Sequence, residues 1–143
     1  QARARSALVY ELVRNAESFA IRGKKDDARL KKRMKLMASA ESQVVSIIQL
    51  NEPEYVLEGL LVVADAYLRL YDELVSAPVP VELEGGQIPL YRERVLEEAE
   101  FLRKKARGFY HKGVLYADHL SWKGRSRDLL EQRRDALDGE GGG

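Results

Sequence analysis

Two histidines, His111 and His119, are the side chains of this sequence best suited to metal binding or proton transfer. They lie eight residues apart in a segment with a helical pattern, which separates them by about two turns on partly diverging faces. The Glu-x-x-His spacing of di-iron helical bundles is missing before either histidine. We therefore predict no metal and no cofactor, with both histidines in solvated or capping positions.

A second cluster that could do chemistry consists of four carboxylates, which are Glu93, Glu97, Glu98 and Glu100. Glu100 lies at helical neighbour spacing from Arg103 and Lys104, so surface ion pairs explain much of the cluster. An acid–base pair would need a partner group from a distant helix. The chain also has no cysteine, which removes thiolate nucleophiles, thiolate metal sites and disulfides. We predict that the protein is not an enzyme.

Charge is divided unevenly along the chain, although the net charge is only +1. Residues 22–35 hold eight basic and two acidic residues, whereas residues 52–100 hold twelve acidic and three basic ones. The basic segment is interpreted as a solvated helix face, as a contact for an acidic protein or anionic headgroup, or least of all as a nucleic-acid site. The opposite signs would suit stacking of neighbouring copies into a homo-oligomer, or steering of a partner. Lys31 and Lys35 are the predicted partner-binding residues of this segment.

Aromatic residues form the last candidate group: Tyr67, Tyr71, Tyr91, Tyr110, Tyr116 and Trp122. Core and helix-seam positions are favoured over a ligand cage for this group, since Tyr and Trp bury a large area and keep a polar handle. If the fold has a concave groove, Tyr67 and Tyr71 are the first candidates for lining it. A pocket between the third and fourth helices, lined by Tyr67, Tyr71 and Tyr110, would instead indicate a small ligand.

The elements that must position these side chains are helices, because apolar residues recur at helical spacing along the chain. We predict helices over residues 4–22, 27–50, 53–76, 89–120 and 122–137. Leu8, Leu12 and Ala16 form the predicted inward stripe of the first helix, which Gly23 stops. Asp26 or Asp27 caps the second helix, and Ser121 caps the last one before Trp122. Gly108 and Gly113, inside the fourth helix, indicate close helix contacts.

At 143 residues the chain fits one domain, predicted over residues 1–138 and followed by a disordered tail at 139–143. No run reaches the roughly 18 to 20 apolar residues of a membrane span. Since the chain opens at Gln1 without a methionine, we expect a fragment of a longer protein whose upstream sequence, including any export signal or lipid anchor, is lost.

Several short sequences between residues 60 and 122 occur in one characteristic order. They are Ala64-Asp65-Ala66-Tyr67, Ala77-Pro78-Val79-Pro80, Leu90-Tyr91-Arg92, Lys105-Ala106, Tyr110, Ala117 and Trp122. This order resembles the C-terminal part of tetratricopeptide (TPR) proteins of deltaproteobacteria, including gliding-motility envelope components. The resemblance implies an all-α stack of antiparallel helix pairs, wound as a right-handed superhelix of about five helices.

The resemblance also implies a non-enzymatic scaffold that binds other proteins, in an envelope-associated assembly for motility, secretion or outer-membrane biogenesis. Its implied location is the periplasm or the outer membrane, with the cytoplasm as the alternative. The neutral charge balance argues against nucleic acid as a partner. A regulatory helical bundle that binds a small ligand is the alternative function.

Overall fold

The computed structural model describes residues 1–21 and 27–141. Within them the chain forms five helices and no strand: α1 (Ala2–Glu17), α2 (Asp27–Leu50), α3 (Pro53–Ser76), α4 (Ile88–His119) and α5 (Arg125–Gly141). The predicted all-α class is confirmed, and the helices form packed pairs, α1 with α2 and α3 with α4. The predicted stop at Gly23 and the Asp26 cap lie outside the described residues.

Helix α3 is the centre of the fold, because it contacts each of the other four helices. Pro53 opens it in the first turn, where the missing N–H has no partner to lose. Its buried side chains are Val56, Leu57, Leu60, Val63, Ala64, Ala66, Tyr67 and Leu70. This broad apolar face packs against neighbouring helices on more than one side.

The buried face of α1 is shifted from the predicted stripe, because Leu8 and Leu12 are each replaced by the residue that follows it. Val9, Val13 and Ala16 are buried in the core, whereas Leu8 is exposed and Leu12 only partly buried. Small and β-branched side chains at the contact let α1 lie close to α2 and α3, so the bulkier leucines are displaced to the edge.

Helix α1 ends at Glu17, five residues before its predicted end. The segment that follows contacts Arg33, a buried arginine of α2. Arg33 Nη1 donates to the Phe19 carbonyl at 3.5 Å, and its guanidinium forms an ion pair with Glu73 of α3. The other Glu73 oxygen accepts the Ile21 N–H at 3.4 Å. Arg33 is fully buried, so this member of the basic segment is not on a solvated helix face.

Helix α4 ends in a Schellman motif, which corrects the predicted role of Ser121. Ser121 has φ +52°, and its backbone N–H donates to the Asp118 carbonyl at 3.1 Å. The backbone N–H of Trp122 donates to the Ala117 carbonyl at 2.8 Å. These two hydrogen bonds satisfy the last carbonyls of α4. Ser121 therefore terminates α4, and α5 begins at Arg125 rather than at Trp122.

Helix α5 packs closely on α4 and is longer than predicted. A Cβ added at Gly113 would lie 2.6 Å from Leu130 Cδ1, which confirms the close contact predicted for this glycine. The same addition at Gly108 meets nothing within 4 Å, so that part of the prediction is wrong. The helix continues to Gly141 and so overlaps the predicted disordered tail at 139–143, of which residues 142 and 143 lie outside the described residues.

Candidate functional site

An apolar groove of about 620 Å³ lies between α2 and α4, with the end of α3 between them. Both helices pack on α3, and in the described part of the chain their backbones do not come close to each other. The lining side chains are Ile21, Leu30, Met34, Leu74, Ala77, Leu83, Gln87, Leu90, Tyr91, Arg94, Val95, Glu98, Phe101 and Leu102. We call this feature the apolar groove.

One wall of the apolar groove is the first half of α4, residues 88–102, which we call the projecting segment. Helix α5 packs beside the second half of α4, where the Arg103 guanidinium donates to the Leu137 carbonyl at 2.5 Å. The projecting segment leaves apolar side chains uncovered: Leu90 is 68% exposed and Phe101 49% exposed. Eleven residues separate them, which is about three helical turns, so they lie on the same side of α4.

The other end of the space between α2 and α4 is closed by an ion pair. Lys105 Nζ lies 2.7 Å from a Glu41 carboxylate oxygen and 4.9 Å from the centre of the Tyr67 ring. The Tyr67 ring stacks on Phe109 with centroids 6.0 Å apart. Burial, together with Glu41, raises the pKa of Tyr67 well above its ordinary value. Tyr67 is thus a core residue and not part of the groove lining, which corrects its predicted place.

The outer edge of the apolar groove on α2 is basic. Lys31 and Lys35 are exposed, and each lies one position further round the helix than a lining residue, Leu30 or Met34. The two lysines predicted as partner-binding residues therefore flank the groove. Tyr71, the other predicted groove residue, is partly buried against the core and is not among the lining side chains.

The outer edge on α4 is mostly acidic. Glu93, Glu97 and Phe101 follow one another at four-residue spacing, so they share one side of the helix. Glu98 and Arg94 lie beside them in the lining. Among the described residues, the α2 side chains that line the groove opposite these groups are Leu30 and Met34, which are apolar. The glutamate cluster thus belongs to the edge of a groove.

On the opposite side of α3, polar side chains connect α3 to α1. Tyr10 donates a hydrogen bond to Glu58. Arg69 forms a two-bond ion pair with Glu17, at 2.5 and 2.8 Å. Tyr10, Glu17 and Arg69 border a surface hollow of about 490 Å³ between the two helices. Two charges of this hollow, Glu17 and Arg69, are thus paired across the helix contact.

Asp65 continues the same line of contacts toward α4 and α5. One carboxylate oxygen accepts the Tyr110 hydroxyl at 2.6 Å, and the other forms an ion pair with Arg133. Burial, with the hydrogen bond to Asp65, raises the pKa of the fully buried Tyr110. We call the contacts of Asp65, with the Tyr10–Glu58 and Glu17–Arg69 pairs, the polar seam.

The histidines lie apart from both regions. His111 Nδ1 is 3.1 Å from the Arg134 guanidinium, a cation that disfavours a metal ion beside it. His119 is the last residue of α4 and is exposed. Within residues 1–21 and 27–141, no three His, Asp or Glu side chains converge as metal ligands would.

Two further findings do not depend on any one site. None of the helices in the described ranges is long and apolar enough to cross a membrane. Comparison of the chain with protein-family models, with curated proteins and with solved structures finds no match. The functional conclusion therefore depends on the geometry of the apolar groove.

Proposed function

We propose that this protein is a non-enzymatic scaffold that binds protein helices in the apolar groove. The observation that carries the proposal is the exposure of Leu90 and Phe101 beside a groove lined mainly by apolar side chains. Single exposed apolar residues are ordinary on protein surfaces. A contiguous apolar patch with charged edges is instead typical of an interaction surface.

The shape of the site supports a helical occupant. Two helices form its walls and a third lies between them, as in domains that accept an amphipathic helix in a groove. The projecting segment has 15 residues, which at 1.5 Å per residue gives a wall about 22 Å long. An occupant of about four turns would place apolar residues at intervals of three and four positions along this wall.

The scaffold is proposed to be of the tetratricopeptide-like kind. The packing of α1, α3 and α5 side by side, with α2 and α4 each paired to the preceding helix, supports a stack of helix pairs. The right-handed winding, the envelope-associated assembly and the periplasmic or outer-membrane location are parts of this proposal that rest on the resemblance to tetratricopeptide proteins, which covers roughly residues 28 to 137.

A small apolar ligand is the second candidate occupant, because a volume of about 620 Å³ lies within the usual range for small-molecule sites. The tyrosines of this site differ from the predicted set. Tyr67 and Tyr110 are buried in the core, whereas Tyr91 lines the apolar groove. Ligand binding would raise the melting temperature by mass action in a screen of apolar metabolites.

Two variants of α4 test the scaffold proposal. Leu90→Arg places a charge beside the apolar groove, while Leu115→Arg places it at a comparably exposed apolar position (55%) outside the lining. Affinity capture from cells of the source organism should recover protein partners, including further copies of the chain, with wild type and Leu115→Arg but not with Leu90→Arg. Recovery of the same proteins by all three would contradict the proposal.

A further inference from the structure

The projecting segment has the properties of an occupant as well as of a wall. It is an amphipathic helix of about four turns, with Leu90 and Phe101 exposed on one side. We propose that the apolar groove of one copy takes the projecting segment of a second copy, and that the second groove takes the first segment in return. This inference rests on the proposed helix-binding function and names its partner as the same chain.

The two edges of the groove have charges that suit this exchange. Residues 28–40 of α2 contain five basic residues and no acidic one. Of these, Lys31 and Lys35 lie at the groove edge, whereas Arg33 is buried. On α4 the corresponding edge carries Glu93 and Glu97, with Glu98 and Arg94 in the lining. One edge is therefore basic and the other has a net negative charge.

Two-fold symmetry converts these edges into matched pairs. A two-fold axis parallel to the groove places the α4 of each copy between the α2 and the α4 of the other. The helices then lie side by side in the order α2 of the first copy, α4 of the second, α4 of the first and α2 of the second. Each α2 edge, with Lys31 and Lys35, then lies beside Glu93 and Glu97 of the second copy. An axis perpendicular to the groove would place the two basic edges against each other, which like-charge repulsion disfavours. The charges thus select one arrangement.

The same interface would cover the apolar side chains that the monomer leaves exposed. Leu90 and Phe101 of each copy would pack against Leu30 and Met34 of the other. Both sets of side chains would become buried from water, and burial of apolar surface is the main favourable term in association. Hydrophobic burial would thus provide affinity, and the charged edges would provide orientation.

A charge-exchange experiment tests this arrangement by sedimentation velocity at low salt. Wild type is expected to be a dimer, and Lys31→Glu plus Lys35→Glu is expected to be a monomer, as is Glu93→Lys plus Glu97→Lys. An equimolar mixture of the two variants should form a heterodimer, because both sets of pairs become attractive again. All four positions are exposed, so circular dichroism should show unchanged folding.

A wild-type chain that remains monomeric at its highest soluble concentration would overturn the inference. So would variants that both remain dimeric, or a mixture that contains only monomers.

A photo-crosslinker separates failure of this inference from failure of the proposed function. The photoreactive residue p-benzoylphenylalanine, introduced in place of Met34, would lie in the α2 wall and react with the molecule that occupies the apolar groove. Crosslinking in cells to the projecting segment of a second copy supports the inference. Crosslinking only to a different protein overturns the inference and leaves the proposed function standing. The absence of any protein crosslink overturns both.

Discussion

The apolar groove and the polar seam lie on opposite sides of α3. They differ in whether their side chains have partners within the chain. In the polar seam, Asp65 and Glu17 are paired across helix contacts within the chain. In the apolar groove, Leu90 and Phe101 remain exposed between edges of opposite charge. The two openings have similar volumes, about 490 and 620 Å³, so chemistry rather than size distinguishes them.

The difference suggests a division of roles between stability and binding. Polar groups paired inside the chain stabilise one arrangement of α1, α3, α4 and α5, most strongly at the buried Tyr110, where removal of Asp65 would leave the hydroxyl unsatisfied. Exposed apolar side chains contribute little to folding and become buried only in a complex. Variants of the polar seam should therefore change the free energy of unfolding, and variants of the apolar groove should change association.

The largest effect is expected at Asp65. Asp65→Ala would leave the buried Tyr110 hydroxyl without its acceptor and Arg133 without its counter-ion. We expect the free energy of unfolding to fall by about 2–3 kcal/mol, as for hydrogen bonds to charged groups. The matched control Glu93→Ala, at the groove edge, should change it by less than about 0.5 kcal/mol. Urea unfolding measures both, and equal losses would remove the distinction between the two regions.

The next effect concerns two glycines of α4. Gly113 faces α5, where a Cβ would lie 2.6 Å from Leu130, whereas Gly108 has open space around it. Gly113→Ala should destabilise by about 1–3 kcal/mol through overpacking. Gly108→Ala should stabilise by up to about 1 kcal/mol through helix propensity. Thermal unfolding of the two variants gives the signs, and stabilisation by both would argue against a close α4–α5 contact.

Alkaline pH should act on the polar seam through Tyr110. Its pKa is raised in the folded protein by burial and by Asp65, whereas an unfolded tyrosine titrates near about pH 10. The raised pKa contributes stability that is fully present below about pH 10 and is lost as the pH rises above it. The melting temperature of wild type should fall in this range more steeply than that of Tyr110→Phe. Parallel curves would show that Tyr110 does not contribute.

The smallest effect on folding is expected in the apolar groove. Phe101→Arg changes a half-exposed side chain, so the free energy of unfolding should shift by no more than about 0.5 kcal/mol. Self-association should nevertheless be lost. Urea unfolding measures the free energy of unfolding, and sedimentation of the same sample measures self-association. A strongly destabilised variant would show that the Phe101 side chain belongs to the core.

Much of the helical framework could be predicted from local sequence. Proline in the first turn marks the start of α3 at Pro53 and of α4 beside Pro89, and Asn51 with φ +52° marks the end of α2. The end of α3 before the Pro78 and Pro80 break was also predicted. These signals are local, because proline and left-handed positions restrict the backbone whatever surrounds them.

The candidate site could be predicted only in part, because burial depends on distant neighbours. Lys31 and Lys35 were identified from charge alone and lie at the groove edge. Tyr67 has the same residue type as a groove-lining tyrosine but is covered by Lys105 and Phe109. The spacing of Leu90 and Phe101 was visible in the sequence. Only the packing of the folded chain shows that these two side chains are left exposed.

Similar tertiary effects explain the errors in α1 and at Ser121. The buried stripe of α1 contains Val9 and Val13 instead of the larger Leu8, because close packing against two helices favours small side chains. Ser121 has the residue type of an N-cap but occupies a left-handed position at the end of α4.

Sedimentation velocity of wild type, Leu90→Arg and Leu115→Arg at one concentration tests the central claim most directly. If two copies associate through the apolar groove, wild type and Leu115→Arg will sediment as dimers and Leu90→Arg as a monomer. The same sedimentation coefficient for all three proteins would contradict the assignment of the apolar groove as the site of association.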